Sequence, residues 1–73
     1  MTQKRIRHLN PPENCDLCHK PVGDAFVDGK TKMGPWANMC YVTCFPKYGV
    51  GLGTGKGQHY VKLNGKDYIK VEG

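Results

Sequence analysis

Four cysteines carry the chemistry this chain of 73 residues could perform. Cys15 and Cys18 are separated by two residues, Cys40 and Cys44 by three, and 21 residues lie between the pairs. Zn²⁺ takes four tetrahedral ligands, and two close thiolate pairs can fill that shell when the chain between them turns back on itself. The spacing therefore predicts one structural Zn²⁺ held by Cys15, Cys18, Cys40 and Cys44. Two plainer arrangements compete with it: free buried thiols acting as small hydrophobes, or a redox pair at Cys15 and Cys18. Neither accounts for both pairs. A staple is also needed on general grounds, because a domain of this size, only 38% hydrophobic, buries too little surface to be comfortable unaided.

The compartment points the same way. Residues 1–8 carry charge with no apolar run behind them, so no signal peptide is expected, and no stretch is long enough to cross a bilayer. A soluble, cytoplasmic protein in a reducing environment uses paired cysteines for metal more often than for disulfides. Four sulfurs would close the zinc shell, whereas a catalytic zinc keeps one position open. The His-x-Glu of nucleotide deaminases and the His-Glu-x-x-His of metalloproteases are both missing. Glu13 and Glu72, the only glutamates, lie toward the ends of the chain. No enzymatic activity is expected, and no small-molecule substrate.

The elements that must position these cysteines are short. Ten glycines and five prolines exclude a helix bundle and favour a small β-rich fold. Residues 1–14 read as a basic arm that Pro11 and Pro12 keep extended. Residues 15–48 form the zinc-binding module. Within it, Ala25 to Thr31 surrounds an Asp28-Gly29 dipeptide, which predicts two short strands joined by a tight turn. Pro35 confines the following segment to a sheet edge. Thr43 is placed to cap one helical turn that Gly49 ends, held by the metal and by packing of Phe45 and Tyr48. Residues 49–57 alternate glycine with Val50, Leu52, Thr54 and Lys56, which predicts an extended segment with one bare face, either a contact surface or a flexible connector. They match neither the phosphate loop nor the dinucleotide fingerprint, since Gly55-Lys56 is followed by Gly57 and position 50 is Val. Residues 58–73 form a β-hairpin around Asn64-Gly65; a two-residue type I′ loop would set Lys62 opposite Asp67, Val61 opposite Tyr68 and Tyr60 opposite Ile69. All four segments belong to one domain.

Residues 15–48 resemble the zinc-ribbon and treble-clef groups of small zinc-binding modules. In these, two cysteine pairs clamp a hairpin and, in the treble clef, the second pair opens a helix. The resemblance implies that Cys15 and Cys18 form the first knuckle and that Cys40 and Cys44 stand at the helix start. The three-residue spacing of Cys40-Tyr-Val-Thr-Cys44 departs from the usual two, which implies a distorted second knuckle or a histidine in place of one sulfur, His19 being the nearest. The stretch around Trp36 to Cys40, followed by the glycine run, also looks similar to small uncharacterised bacteriophage-encoded proteins.

The formal charge is +5, and four zinc-bound thiolates would lower it to about +3. Residues 1–12 carry three positive charges and no acid, residues 13–29 are net acidic, and residues 30–73 are net basic. Lys4, Arg5, Arg7, Lys30, Lys32, Lys47 and Lys56 could meet phosphates, with Trp36 and Tyr60 as stacking surfaces. Nucleic acid, DNA or RNA, is the first expected partner. The alternative is a protein-interaction module of phage type, a virion component or a binder of a host protein complex, whose arm and glycine run order on binding. Ordinary surface lysines and a core tryptophan would explain the same residues without a partner.

Overall fold

A computed structural model describes residues 7–8, 10–65 and 67–73. Four strands form one antiparallel sheet: β1 (Ala25–Lys30), β2 (Trp36–Cys40), β3 (Gly57–Asn64) and β4 (Asp67–Glu72), with a five-residue helix α1 (Cys44–Tyr48) between β2 and β3. The strand order is β2-β1-β3-β4, so β2 is an edge, as Pro35 just before it requires. No helix among the described residues is long and apolar enough to cross a membrane.

The sheet is the β-rich fold expected, but its central strand overturns one reading. Asp28-Gly29 is not a turn. Ala25–Lys30 runs straight through it, pairing with β2 from Phe26 opposite Cys40 to Lys30 opposite Trp36, and the chain reverses instead at residues 31–35, where both the Thr31 N–H and its hydroxyl donate to the Pro35 carbonyl. Gly29 serves close approach: a β-carbon there would lie 2.8 Å from the Lys56 carbonyl oxygen and 2.9 Å from the Gly57 α-carbon. Gly29 and Gly57 are partners in the antiparallel ladder, and their missing side chains let β1 and β3 approach where a β-carbon would collide.

The other glycines alter a second expectation. The 49–57 run is not a bare extended segment. Gly51, Gly53 and Gly55 take positive φ, and the chain folds back so that Gly53 and Gly57 exchange hydrogen bonds of 2.8 and 3.0 Å.

The C-terminal hairpin forms with a different register. Lys62 pairs with Tyr68, Val61 with Ile69, Tyr60 with Lys70 and Asn64 with Asp67, with irregularities between His59 and Tyr60 and between Lys62 and Asn64. Gly65 has φ 47° but Asn64 does not take positive φ, so the type I′ geometry that would set the expected pairs is not adopted. The aromatic core decides instead: Phe26 stacks on Tyr60 at 5.1 Å and meets the Tyr68 edge at 5.1 Å, and the Tyr68 hydroxyl donates to the Gly23 carbonyl. Lys62, freed from Asp67, lies 4.0 Å from Asp24. The Lys66 start of the expected second strand lies outside the described residues.

Candidate metal centre and basic surface

The first knuckle is a closed loop. Asn14 bridges Pro21, the Cys15 N–H donates to the Lys20 carbonyl at 2.8 Å and the His19 N–H to the Cys15 carbonyl at 2.9 Å. His19 closes this turn at φ 66°, a left-handed conformation in which histidine is less rare than most residues. It is exposed and stands outside the ligand cluster.

Asp16 fastens the loop to the sheet. Its N–H donates to the Asn38 carbonyl at 2.8 Å, and its carboxylate accepts the Asn38 N–H at 2.8 Å. The exposed edge of β2 is thereby paired, and Cys15 and Cys18 come beside Cys40. Sequence reading missed Asp16, because nothing in Cys15-Asp-Leu-Cys18 says which distant backbone its carboxylate will meet.

The three-residue spacing of the second pair carries the chain from the end of β2 into the first residue of α1. There the Cys44 N–H, one of the donors a helix start leaves unsatisfied, points at the Cys40 sulfur at 3.4 Å. Thr43 makes no side-chain cap hydrogen bond; the sulfur accepts a bond from the helix start instead. Gly49 ends the helix at φ −76°, not in a left-handed turn, and a β-carbon there would collide with the Phe45 ring. Phe45 packs on the core as expected, whereas Tyr48 is 38% exposed.

The four sulfurs all lie within 4.8 Å of one another. Zn–S bonds of about 2.3 Å place tetrahedral sulfurs about 3.8 Å apart, and the Cys18 and Cys40 sulfurs are 3.8 Å apart. All four thiols are free. Backbone N–H groups of Leu17 and Cys18 point at the Cys15 sulfur at 3.3 and 3.5 Å, outer-shell donors of the kind that orient metal-binding thiolates. Burial would push the Cys15 thiol up, but hydrogen bonds from the backbone at Cys18, Cys40 and Leu17 and from the Cys44 thiol bring it down to about 6. Cys44 is pushed up, by burial first, then by hydrogen bonding to the other three sulfurs and by the charge on Cys15. One sulfur ionises readily and its neighbour resists; a dication among them removes that conflict, since it lets every ligand deprotonate. The donor set fits a metal ion.

Compared with known proteins, the chain matches no family model, no curated protein and no solved structure. What the structure itself supports is a small β-rich chain with four cysteines at metal-binding distance.

The remaining candidate residues divide. Lys30 pairs with Trp36 and its N–H donates to the Lys56 carbonyl at 2.8 Å; the Lys32 N–H donates to the Tyr48 carbonyl at 2.7 Å, next to Lys47. Lys30, Lys32, Lys47, Lys56 and Trp36, all exposed, thus gather at the far end of β1 from the cysteines. Arg7 does not join them. It bridges Ile69 on β4 and lies 3.7 Å from Asp67, about five residues or 17 Å along the sheet from Lys30. Tyr60 is corrected more sharply: at 8% exposure, stacked on Phe26 and edge-on to His8, it belongs to the core and offers no ring to a ligand. Lys4 and Arg5 lie outside the described residues.

Proposed function

We propose that this protein is a non-enzymatic module, stapled by one structural zinc ion at Cys15, Cys18, Cys40 and Cys44, that binds nucleic acid through the lysine end of its sheet. The zinc assignment is supported by an all-sulfur donor set, which favours zinc or other thiophilic metals over magnesium or calcium, and by a sulfur separation matching a zinc tetrahedron. With four protein ligands the shell is closed, and the ion's role is to hold the fold.

The observation that carries the nucleic-acid reading is the segregation of charge. Among the described residues, no side-chain carboxylate lies within ion-pair distance of Lys30, Lys32, Lys47 or Lys56, which stand together. Lys20 and Lys70 also lack one but stand apart, while Arg7 and Lys62 at the other end face Asp67 and Asp24. Asp28, the acid nearest Lys30 along β1, faces His8 at 3.6 Å. Four zinc-bound thiolates would add a net charge of about −2 at the cysteine end. The resulting polarity steers a polyanion to the lysine end.

The test is a binding titration of zinc-loaded protein with single- and double-stranded oligonucleotides between about 50 and 200 mM salt. Affinity is expected to fall with a log–log slope of about −0.7 per neutralised phosphate on single strands, or about −0.9 on duplex DNA. A variant with Lys30, Lys32, Lys47 and Lys56 all changed to Ala should fold and lose most of the binding. No complex at the lowest salt, or binding indifferent to all four substitutions, would hand the surface to a protein partner instead, for which the exposed Met33, Trp36 and Val50 would be the contacts.

A further inference from the structure

The lysine end carries a second set of side chains. Lys30 stands opposite Trp36 on one side. On the other, Thr31 bridges Gly49 in antiparallel fashion, with the Val50 N–H donating to the Lys30 carbonyl at 3.3 Å. That register lines up Trp36, Lys30 and Val50 across three chain segments, and sets Tyr48 beside Lys32 one step further along. Trp36 is 48% exposed and Tyr48 38%. Large aromatic surfaces are normally buried, and the same molecule buries Tyr60, Tyr68 and Phe26. Tyr41 is 37% exposed too, but its ring is already stacked on His59. Trp36 and Tyr48, interleaved with lysines that have no carboxylate at ion-pair distance among the described residues, form a platform of the kind that single-stranded nucleic acids use, with bases on the rings and phosphates on the cations.

Duplex fits this surface poorly. Trp36 lies on one side of the β1 chain and the Tyr48–Val50 segment on the other, so two spacings of about 4.8 Å across that chain separate their backbones, well beyond the roughly 3.4 Å between stacked neighbours on one strand of a duplex. Bases seated on both rings must be splayed from each other, which a single strand permits and a paired one resists. The only helix among the described residues is five residues long and offers no extended rod for a major groove.

Resting on the nucleic-acid reading above, we infer that the ligand is single-stranded, bound with bases stacked on Trp36 and Tyr48 and its backbone held by Lys30 and Lys32. Because Trp36 is the single tryptophan, its fluorescence reports stacking directly. Zinc-loaded protein titrated at about 50 mM salt with an oligothymidylate should show quenched Trp36 emission, with weaker binding to the matching duplex. Trp36→Ala and Tyr48→Ala should each weaken single-strand affinity by roughly five- to a hundredfold, whereas Trp36→Phe should retain most of it, all with the wild-type amide spectrum. If oligonucleotides bind but leave the emission unchanged, or duplex binds as tightly, or both Ala variants bind like wild type, the stacking platform is refuted and the electrostatic reading survives. If no oligonucleotide binds, both fall together.

Discussion

At the cysteine end of the sheet, polar and soft groups are turned inward. Four sulfurs face one another, N–H groups from Leu17, Cys18 and Cys44 aim at two of them, and Asp16 spends its carboxylate on the Asn38 backbone. Tyr41 and Val42, between the second pair of cysteines, are exposed, but only about 14 Å along β1, at the lysine end, do exposed aromatics stand among cations: Lys30, Lys32, Lys47, Lys56, Trp36 and Tyr48 are left in water over a backbone that glycines allow to pack closely. The comparison separates what holds the molecule from what it offers. A domain this small can leave aromatic surface exposed at one end only if another interaction makes up the lost burial, and the cluster is placed to supply it.

Breaking the inward-facing end should have the largest effect. Native mass spectrometry is expected to find one zinc per chain, and a strong chelator, or either Cys15→Ser or Cys44→Ser, should collapse the dispersed amide spectrum. Apparent zinc binding of ~10–16 kcal/mol in finger peptides equals or exceeds the ~5–15 kcal/mol total stability of ordinary domains. A chelated protein that keeps its amide dispersion would remove the cluster from the account of stability.

A smaller break lies in the backbone of the lysine end, where Gly29 faces Gly57 across the β1–β3 ladder. Gly29→Ala puts a methyl group against the Lys56 and Gly57 backbone, which cannot swing aside as a side chain could. A loss of about 1–3 kcal/mol in urea unfolding is expected, with zinc still bound. An unchanged midpoint would show that this contact has slack.

The smallest effect concerns His59, buried in the sheet under a stacked Tyr41 ring at 3.9 Å, its Nε2 without a hydrogen-bond partner. Burial lowers its pKa from the usual 6.5, a pull only partly opposed by the Glu72 charge. A histidine depressed on folding contributes stability above its unfolded pKa and loses it as pH falls through the folded value. Unfolding midpoints measured from about pH 7 downward should therefore decline less for His59→Gln than for wild type. Both proteins carry the same cysteines, so the difference belongs to His59. Parallel curves would mean that His59 takes up its proton without cost.

Much of the cysteine cluster was legible in the sequence. The cysteine types and spacings named all four members of the cluster, and Thr43 and Gly49 bracketed the helical turn even though Thr43 makes no side-chain cap bond, because these are local signals: a thiol pair in a turn, a capping residue type before the helix, a glycine after it. Pro35 likewise marked an edge strand through its missing N–H. Asp28-Gly29 misled because the dipeptide that favours a hairpin is also one that lets two strands touch. The choice between those uses depends on Gly57, nearly thirty positions away.

Composition and spacing thus bounded the class of fold, the members of its cysteine cluster and the sign of its charge, since each is set by residue type and near neighbours. Which aromatics are buried and which face water was settled by pairings between distant segments. Phe26 drew Tyr60 and Tyr68 into the core and shifted the last hairpin from its expected register, and the Thr31–Gly49 bridge brought Tyr48 beside the lysines. Those outcomes turn on contacts whose partners lie far apart along the chain, and no local pattern contains the information that selects one partner over another.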